Sequence, residues 1–159
     1  DGDMEKEMLD LRHDVVGPVL EELADELRNH RIILDNRLNR QPAEVLPVKG
    51  SKIWLKSVFR NLVNNGIRHG GDGCTIVIDW QRQGKNCRLN VYNTGKPVPE
   101  DRRAMLFSNF RKMRRAKGTG SGMGLGLYLS RDIITKHGGD ILYEPMQNGS
   151  NFVVTLPQA

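Results

Sequence analysis

Between Ser51 and His69 the chain carries two faces that fit different surroundings. Ile53, Leu55, Val58, Phe59, Leu62, Val63 and Ile67 recur at helical spacing, with Ser51 placed as an N-cap and Gly70, Gly71 and Gly73 as the stop. A stripe this apolar needs a second layer to cover it. On the opposite side Asn61, Asn65, Arg68 and His69 fall at i, i+4, i+7 and i+8 and share one face. Amide oxygens suit a hard cation such as Mg2+, and Arg and His side chains reach phosphate oxygens. A polar face opposite an apolar one is also the ordinary state of a surface helix, so its meaning depends on the rest of the chain.

The rest of the chain supplies the second layer. Cys74 to Trp80 and Cys87 to Tyr92 alternate as strands around a Gln-Gly-Lys-Asn turn, and Asp140 to Glu144 and Asn151 to Leu156 flank an Asn-Gly-Ser turn. Residues 14–29 read as a first helix with Pro18 in its first turn, and residues 31–38 as a short strand. Pro42 and Pro47 mark a loop, Glu100 to Phe107 a short helix, and Gly124 to His137 a third long one. Leu125, Leu129, Ile133 and Ile134 form the buried side of that helix, and Gly138 stops it. The order α-β-α-β-β-α-β-β predicts an α/β sandwich, with helices packed on one face of a mixed sheet. Residues 1–13 are expected to end a preceding linker or helix, and residues 14–159 to form one domain.

Composition narrows the class. At 159 residues and 38% hydrophobic content the chain suits a single globular core. No apolar run approaches the roughly 18 residues that a membrane span needs. The Asp1-Gly2-Asp3 start shows no leader pattern and reads as a point inside a longer, membrane-anchored or free, parent protein. Cys74 and Cys87 open two adjacent antiparallel strands, which puts them at opposite ends of the hairpin and out of disulfide range. With no metal-ligand spacing around either, a reducing, cytoplasmic setting is expected. The net charge of +5 comes largely from Arg111, Lys112, Arg114, Arg115 and Lys117, a local run bounded by glycines. A nucleic-acid partner needs a broad basic face with aromatic platforms, and none is legible.

Two further motifs carry chemistry. Gly122-Met123-Gly124-Leu125-Gly126-Leu127 opens the third helix, where bare backbone amides and the helix N-terminus favour phosphate. No strand leads directly into it and no Gly-Lys-Ser/Thr follows, so it is neither a dinucleotide fingerprint nor a P-loop. Asn93-Thr94-Gly95-Lys96-Pro97 ends a strand in a turn. In order and spacing these segments resemble the N, G1 and G2 boxes of the histidine-kinase branch of the GHKL ATPase superfamily. Asn61 to His69 is similar to its N-L-x-x-N-A-x-K-Y/H helix, Leu106 to Phe110 to its F box, and His137-Gly138-Gly139 and Gly149 to Pro157 to its closing segments.

The resemblance implies a Bergerat-type α/β sandwich: a mixed, mostly antiparallel sheet, three main helices on one face, and a mobile ATP lid. It implies Mg·ATP as ligand, with Asn65 on the metal and Asn61, Arg68 and His69 beside it. Asn93 would accept the adenine amine, with Gly95 and Val98 lining that side. Phe110, Lys112 and Lys117 would belong to the lid, Gly122, Met123, Gly124, Leu125, Gly126 and Leu127 to the triphosphate cradle, and Thr155 to the same site. The implied partners are a helical-hairpin dimerisation and phosphoacceptor domain of the same protein and a downstream response regulator. The gyrase and MutL branches place a glutamate where this chain has Asn61, and an amide cannot act as a general base. The chain therefore reads as a phosphoryl donor rather than a hydrolase.

Two positions depart from the family pattern. Asn93 stands for an aspartate and Pro97 for a second glycine. A neutral acceptor makes a weaker hydrogen bond than a carboxylate, so weaker ATP affinity is expected. The alternative this raises is a degenerate, non-catalytic domain that binds nucleotide weakly and serves as a conformational scaffold. His13-Asp14-Val15-Val16-Gly17-Pro18 resembles the box around a phosphorylated histidine, but too few residues follow for a second hairpin helix. The acceptor histidine is expected outside this chain.

Overall fold

The computed structural model of the chain describes residues 4–40, 45–108 and 123–159, with residues 123–125 described by backbone alone. Strand β1 (Glu7–Asp10) leads through a wide π-type turn at Leu11–Val16 into helices α1 (Gly17–Glu22) and α2 (Ala24–Asn29). Strands β2 (Ile33–Asn36) and β3 (Pro47–Gly50) precede the long helix α3 (Lys52–Gly70). A hairpin β4 (Thr75–Gln83)–β5 (Asn86–Thr94) follows, then the short helix α4 (Glu100–Arg103). Helix α5 (Met123–Lys136) and the hairpin β6 (Asp140–Met146)–β7 (Gly149–Pro157) come last.

Five strands form one sheet in the order β2-β4-β5-β7-β6, antiparallel except for the parallel β2–β4 pair. Strand alternation then sorts the faces. Ile78, Val91, Phe152 and Tyr143 make one cross-strand row under the helices, while Asp79, Arg88, Tyr92 and Glu144 point to the face opposite the helices. Helix α3 lies across the apolar face and packs against β5, α5, α1 and the 11–16 turn. The expected α/β sandwich, with its mostly antiparallel sheet and helices on one face, is present. Among the described residues no helix is long and apolar enough to cross a membrane. Cys74 and Cys87 are buried, free, and at opposite ends of the β4–β5 hairpin, as their spacing predicts.

Several elements differ from the sequence reading, each for a local reason. Glu7–Asp10, expected in a linker or helix, is a strand paired with Pro47–Gly50, where a loop was expected. Leu9 and Val48 sit opposite each other in that pair and are both buried, but four residues are too few to show a period. The first helical segment starts earlier, at Leu11, because the Asp10 side chain accepts from Arg12 N. The strand expected over residues 31–38 is four residues long and ends in a 3-10 turn at Arg37–Arg40. The helix expected to Phe107 is helical only over Glu100–Arg103. The last hairpin turns at Gln147 and Asn148, one residue earlier than expected. Leu129, expected on the buried side of α5, is 49% exposed, and Leu127 fills the core instead.

His137 joins the two long helices. Its Nδ1–H donates to Ile133 O at 2.8 Å, and its Nε2 accepts from Ser51 N at 3.0 Å, just ahead of α3. The ring lies so close to Gly50 that a Cβ there would sit 2.8 Å away. Burial first, opposed by the Ile133 carbonyl and aided by the Lys6 charge, holds His137 below the ordinary imidazole value of 6.5. It is therefore neutral, as both hydrogen bonds require. A base whose folded pKa is depressed stabilises fully above its unfolded pKa and loses that contribution as pH falls below about 6.5. Thermal melts of the wild type and His137→Gln should differ most at pH 7.5, with the gap narrowing steadily from pH 6.5 to pH 5. A gap constant over that range would contradict the neutral assignment.

Candidate functional site

The middle of α3 faces α5, and the two helices run antiparallel: Ser51 meets His137 at one end, and Asn61 Nδ2 donates to Ser130 Oγ at 3.2 Å further along. Gly126 lies directly across from Asn61, so close that a Cβ there would be 2.5 Å from Asn61 Oδ1. Asn61 is thus a tie between helices, and Gly126 makes the space for it. One turn on, Asn65 is level with the start of α5. Its side chain is 3% exposed, and neither Oδ1 nor Nδ2 has a hydrogen-bond partner among the described residues. Leaving a buried amide unpaired costs on the order of 1–3 kcal/mol. Such a group is exceptional in a folded domain unless it is held ready for a ligand.

The far half of α3 passes over the ends of β4 and β5. A Cβ on Gly66 would be 3.6 Å from the Asn93 Cβ, so this glycine brings the helix down onto Asn93. Asn93 is 2% exposed, and its Nδ2 donates to Thr94 O at 3.0 Å. That bond fixes the amide, leaving Oδ1 as the acceptor on the other side. Gly95 has φ +132, and a Cβ there would be 3.4 Å from Gly70 Cα and 3.5 Å from His69 O. Its lack of a side chain therefore serves the approach of the helix end. Val98 N donates to the Tyr143 hydroxyl at 2.8 Å, which also bonds Ser150 Oγ at 2.9 Å.

Asn61 and Asn65 thus lie on α3, Gly126 faces Asn61, Asn93 and Gly95 lie under the far half of the helix, and Val98 is tied to Tyr143 on β6. Arg68 and His69 are exposed at its end. Arg68 lines a cleft with Glu26, His30, Asn64 and Asp72, on the α2 side of the helix. Partial burial, then the Arg68 charge, holds His69 below the ordinary imidazole value. Leu127 is fully buried in the core, so its backbone alone faces outward. Met123, Gly124 and Leu125 form the first turn of α5. Phe110, Lys112, Lys117 and Gly122 lie outside the described residues.

Thr155 does not join this group. It pairs with Arg88 and Asp140 on the sheet face opposite the helices, and its Oγ1 accepts from Asp140 N. The residue in register with Asn93 is Ser150, five positions back along β7 and about 16 Å away at a strand's rise. Ser150 is 3% exposed and faces the helices. The sequence signal for it was the start of the Gly149-Ser150-Asn151-Phe152 strand, but strand alternation has meaning only once the pairing is known. Gly139 explains the Thr155 region otherwise: a Cβ there would overlap Thr155 O, so His137-Gly138-Gly139 is a packing motif.

The whole arrangement can hold a polyanion and its counter-cation. Among the described residues no group of three or more His, Cys, Asp or Glu could bind a metal unaided. Mg2+ commonly relies on one or two protein oxygens together with phosphates, and Asn65 offers an amide oxygen, without a partner among the described residues, level with the N-terminal end of α5 where phosphates are favoured.

A family model for the histidine kinase-, DNA gyrase B- and HSP90-like ATPases matches residues 50–159. The chain belongs to that family. Within it, this is the catalytic, ATP-binding domain of the sensor histidine kinase kind, of the type used in two-component signalling. The domain is 34% identical over 115 residues to the sensor protein VanS of Enterococcus faecium, covering 72% of this chain and 30% of VanS. It superposes on the nucleotide-free catalytic domain of histidine kinase ThkA with a TM-score of 0.81 at 29% identity, covering 98% of this chain and 97% of that one. ThkA in complex with the response regulator TrrA gives a TM-score of 0.78 at 26% identity, covering 98% of this chain and 42% of that one. The histidine-kinase domain spans less than a third of the length of the curated relatives it matches.

The Asn61–Gly126 contact of this kinase domain yields a direct test. Gly126→Ala would push the Asn61 amide off Ser130 and cost about 1 kcal/mol, the usual worth of one hydrogen bond. Adding Asn61→Ala should recover part of that loss in urea unfolding. A double variant whose loss is the sum of the two single losses would show that the residues do not share this space.

Proposed function

We propose that this domain binds Mg·ATP and passes its γ-phosphoryl group to a histidine on a separate helical-hairpin domain of the same protein. The buried amide of Asn65, which has no partner among the described residues and lies level with the start of α5, is the observation that carries this reading. Asn65 would hold the metal through its side-chain oxygen. Mg2+, when bound, neutralises phosphate charge and orients the triphosphate for in-line attack. The first-turn amides of α5 would receive the phosphates.

On the base side, Asn93 Oδ1 would accept the adenine amine, its orientation held by the Nδ2–Thr94 bond. That bond offsets part of the disadvantage of an amide against a carboxylate. A carboxylate at position 93 would instead place an oxygen against Thr94 O. The asparagine is therefore consistent with a working site and does not by itself favour the degenerate reading. Val98, held by Tyr143, would flank the base. During transfer the bond from Pγ to the bridging oxygen breaks, a bond from Pγ to an imidazole nitrogen forms, and ADP leaves. No residue of this chain need take a proton from a nucleophile, because a neutral imidazole attacks through its own lone pair. Asn61 fits that requirement, being bound to Ser130 and unable to act as a base.

The phosphorylated histidine would then serve a response regulator, the class of partner with which ThkA has been seen. The parent protein would present this domain in the cytoplasm. Asn65→Ala tests the reading through a pair of opposed effects. Mg2+-dependent ATP binding should fall at least tenfold by calorimetry, while the melting temperature without nucleotide should stay level or rise because an unpaired buried amide is removed. A wild type that binds no ATP at millimolar concentration would sink the proposal in favour of the scaffold. So would Asn65→Ala binding that still responds to Mg2+ as the wild type does.

A further inference from the structure

Arg131 on α5 sits with its guanidinium carbon 5.0 Å from the centre of the Phe107 ring. Its Nε and Nη2 donate to the Asp140 carboxylate at 2.9 and 3.4 Å, at the first residue of β6. Phe107 meets Phe152 edge-on, with centroids 6.4 Å apart and an interplanar angle of 77°, and Phe152 packs 5.2 Å from Tyr143. Tyr143 closes the series by accepting from Val98 N and bonding Ser150 Oγ. Ser150 is the residue in register with Asn93. An unbroken run of contacts thus leads from a cation on the last helix to the residues flanking Asn93.

Fold stability alone is a poor account of this cation. Arg131 and Asp140 are 43% and 42% exposed, and an ion pair so open to water contributes little. A planar guanidinium held by a carboxylate in one orientation is instead suited to fixing an aromatic ring beneath it. We propose that Arg131 is a positioning residue for the base-binding side of the nucleotide site. It presses Phe107 onto Phe152, which holds Tyr143 where its hydroxyl can grip Val98 and Ser150. This rests on the nucleotide-binding reading above and adds to it a determinant of affinity that makes no contact with the ligand.

Lysine keeps the charge but not the flat stacking surface, so Arg131→Lys separates the two roles. Binding of ATP, ADP and adenosine would be measured for the wild type, Arg131→Lys, Arg131→Ala, Phe107→Leu and the Arg131→Lys/Phe107→Leu double variant. Each Arg131 variant should lose about fivefold in affinity, in line with a cation–π contact, with little change in melting temperature. The factor should be the same for all three ligands, because all carry the base. The double variant should bind no more weakly than Phe107→Leu alone. Independently of nucleotide, the Val98 and Ser150 amide resonances should move in Arg131→Lys. Wild-type affinity in both Arg131 variants, a loss confined to the triphosphate, or unmoved Val98 and Ser150 resonances would overturn the proposal while leaving the nucleotide reading intact. Absence of any wild-type binding would overturn both.

Discussion

The antiparallel contact between α3 and α5 is the constraint on which the site depends. At one end His137 accepts from the backbone just ahead of α3, and further along Asn61 is tied to Ser130 across Gly126. At the other end Gly70 and Gly95 let the helix terminus settle against the end of β5. Held in these places, α3 has little freedom to turn about its axis. Asn65 is therefore held in one place, and among the described residues its amide has no partner. The rigidity and the unsatisfied group are two aspects of one design, in which stability made elsewhere in the helix offsets a local cost.

The same contact divides the polar stripe of α3 by function. Asn61 has a structural partner, Asn65 has none among the described residues, and Arg68 looks into a cleft on the far side beside Asp72 and His30. Helical spacing groups the three because it measures angle around an axis. What each residue can do depends on which neighbouring element lies at that angle. The proposed base side shows the same division. Asn93 departs from the family's carboxylate, yet its orientation is set by its own neighbour Thr94 rather than by the ligand.

Much of the fold was legible because its long elements have strong periods. The apolar stripe of α3 from Leu55 to Ile67, the Ser51 cap and the β4–β5 alternation each predict their structure, and the glycine stops follow; Ile53, read into the same stripe, is 77% exposed in the first turn. What escaped was short or depended on pairing. Strands β1 and β3 are four residues each and recognise one another across 36 intervening residues (positions 11 to 46), a link no local pattern reveals. Leu129 belongs to a helix apolar on more than one side, so its spacing could not decide which side meets the core. Thr155 and Ser150 lie on the same strand but on opposite faces, and only the register with β5 shows which faces Asn93. The site itself was readable as three motifs. Their mutual support, through Gly66, Gly95, Gly126 and Tyr143, became visible only in three dimensions.

The fit of Asn61 between Ser130 and Gly126 also bears on how such domains diverge. A glutamate at this position is longer by one methylene and carries a charge. Here it would meet a helix backbone already at contact distance and a hydroxyl now receiving a hydrogen bond from the amide. Acquiring a base would thus require the Ser130 hydroxyl to turn from acceptor to donor and the longer side chain to find room against Gly126. For this chain the proposed phosphoryl donation would be separated from ATP hydrolysis by the packing at Asn61 as well as by a change of residue.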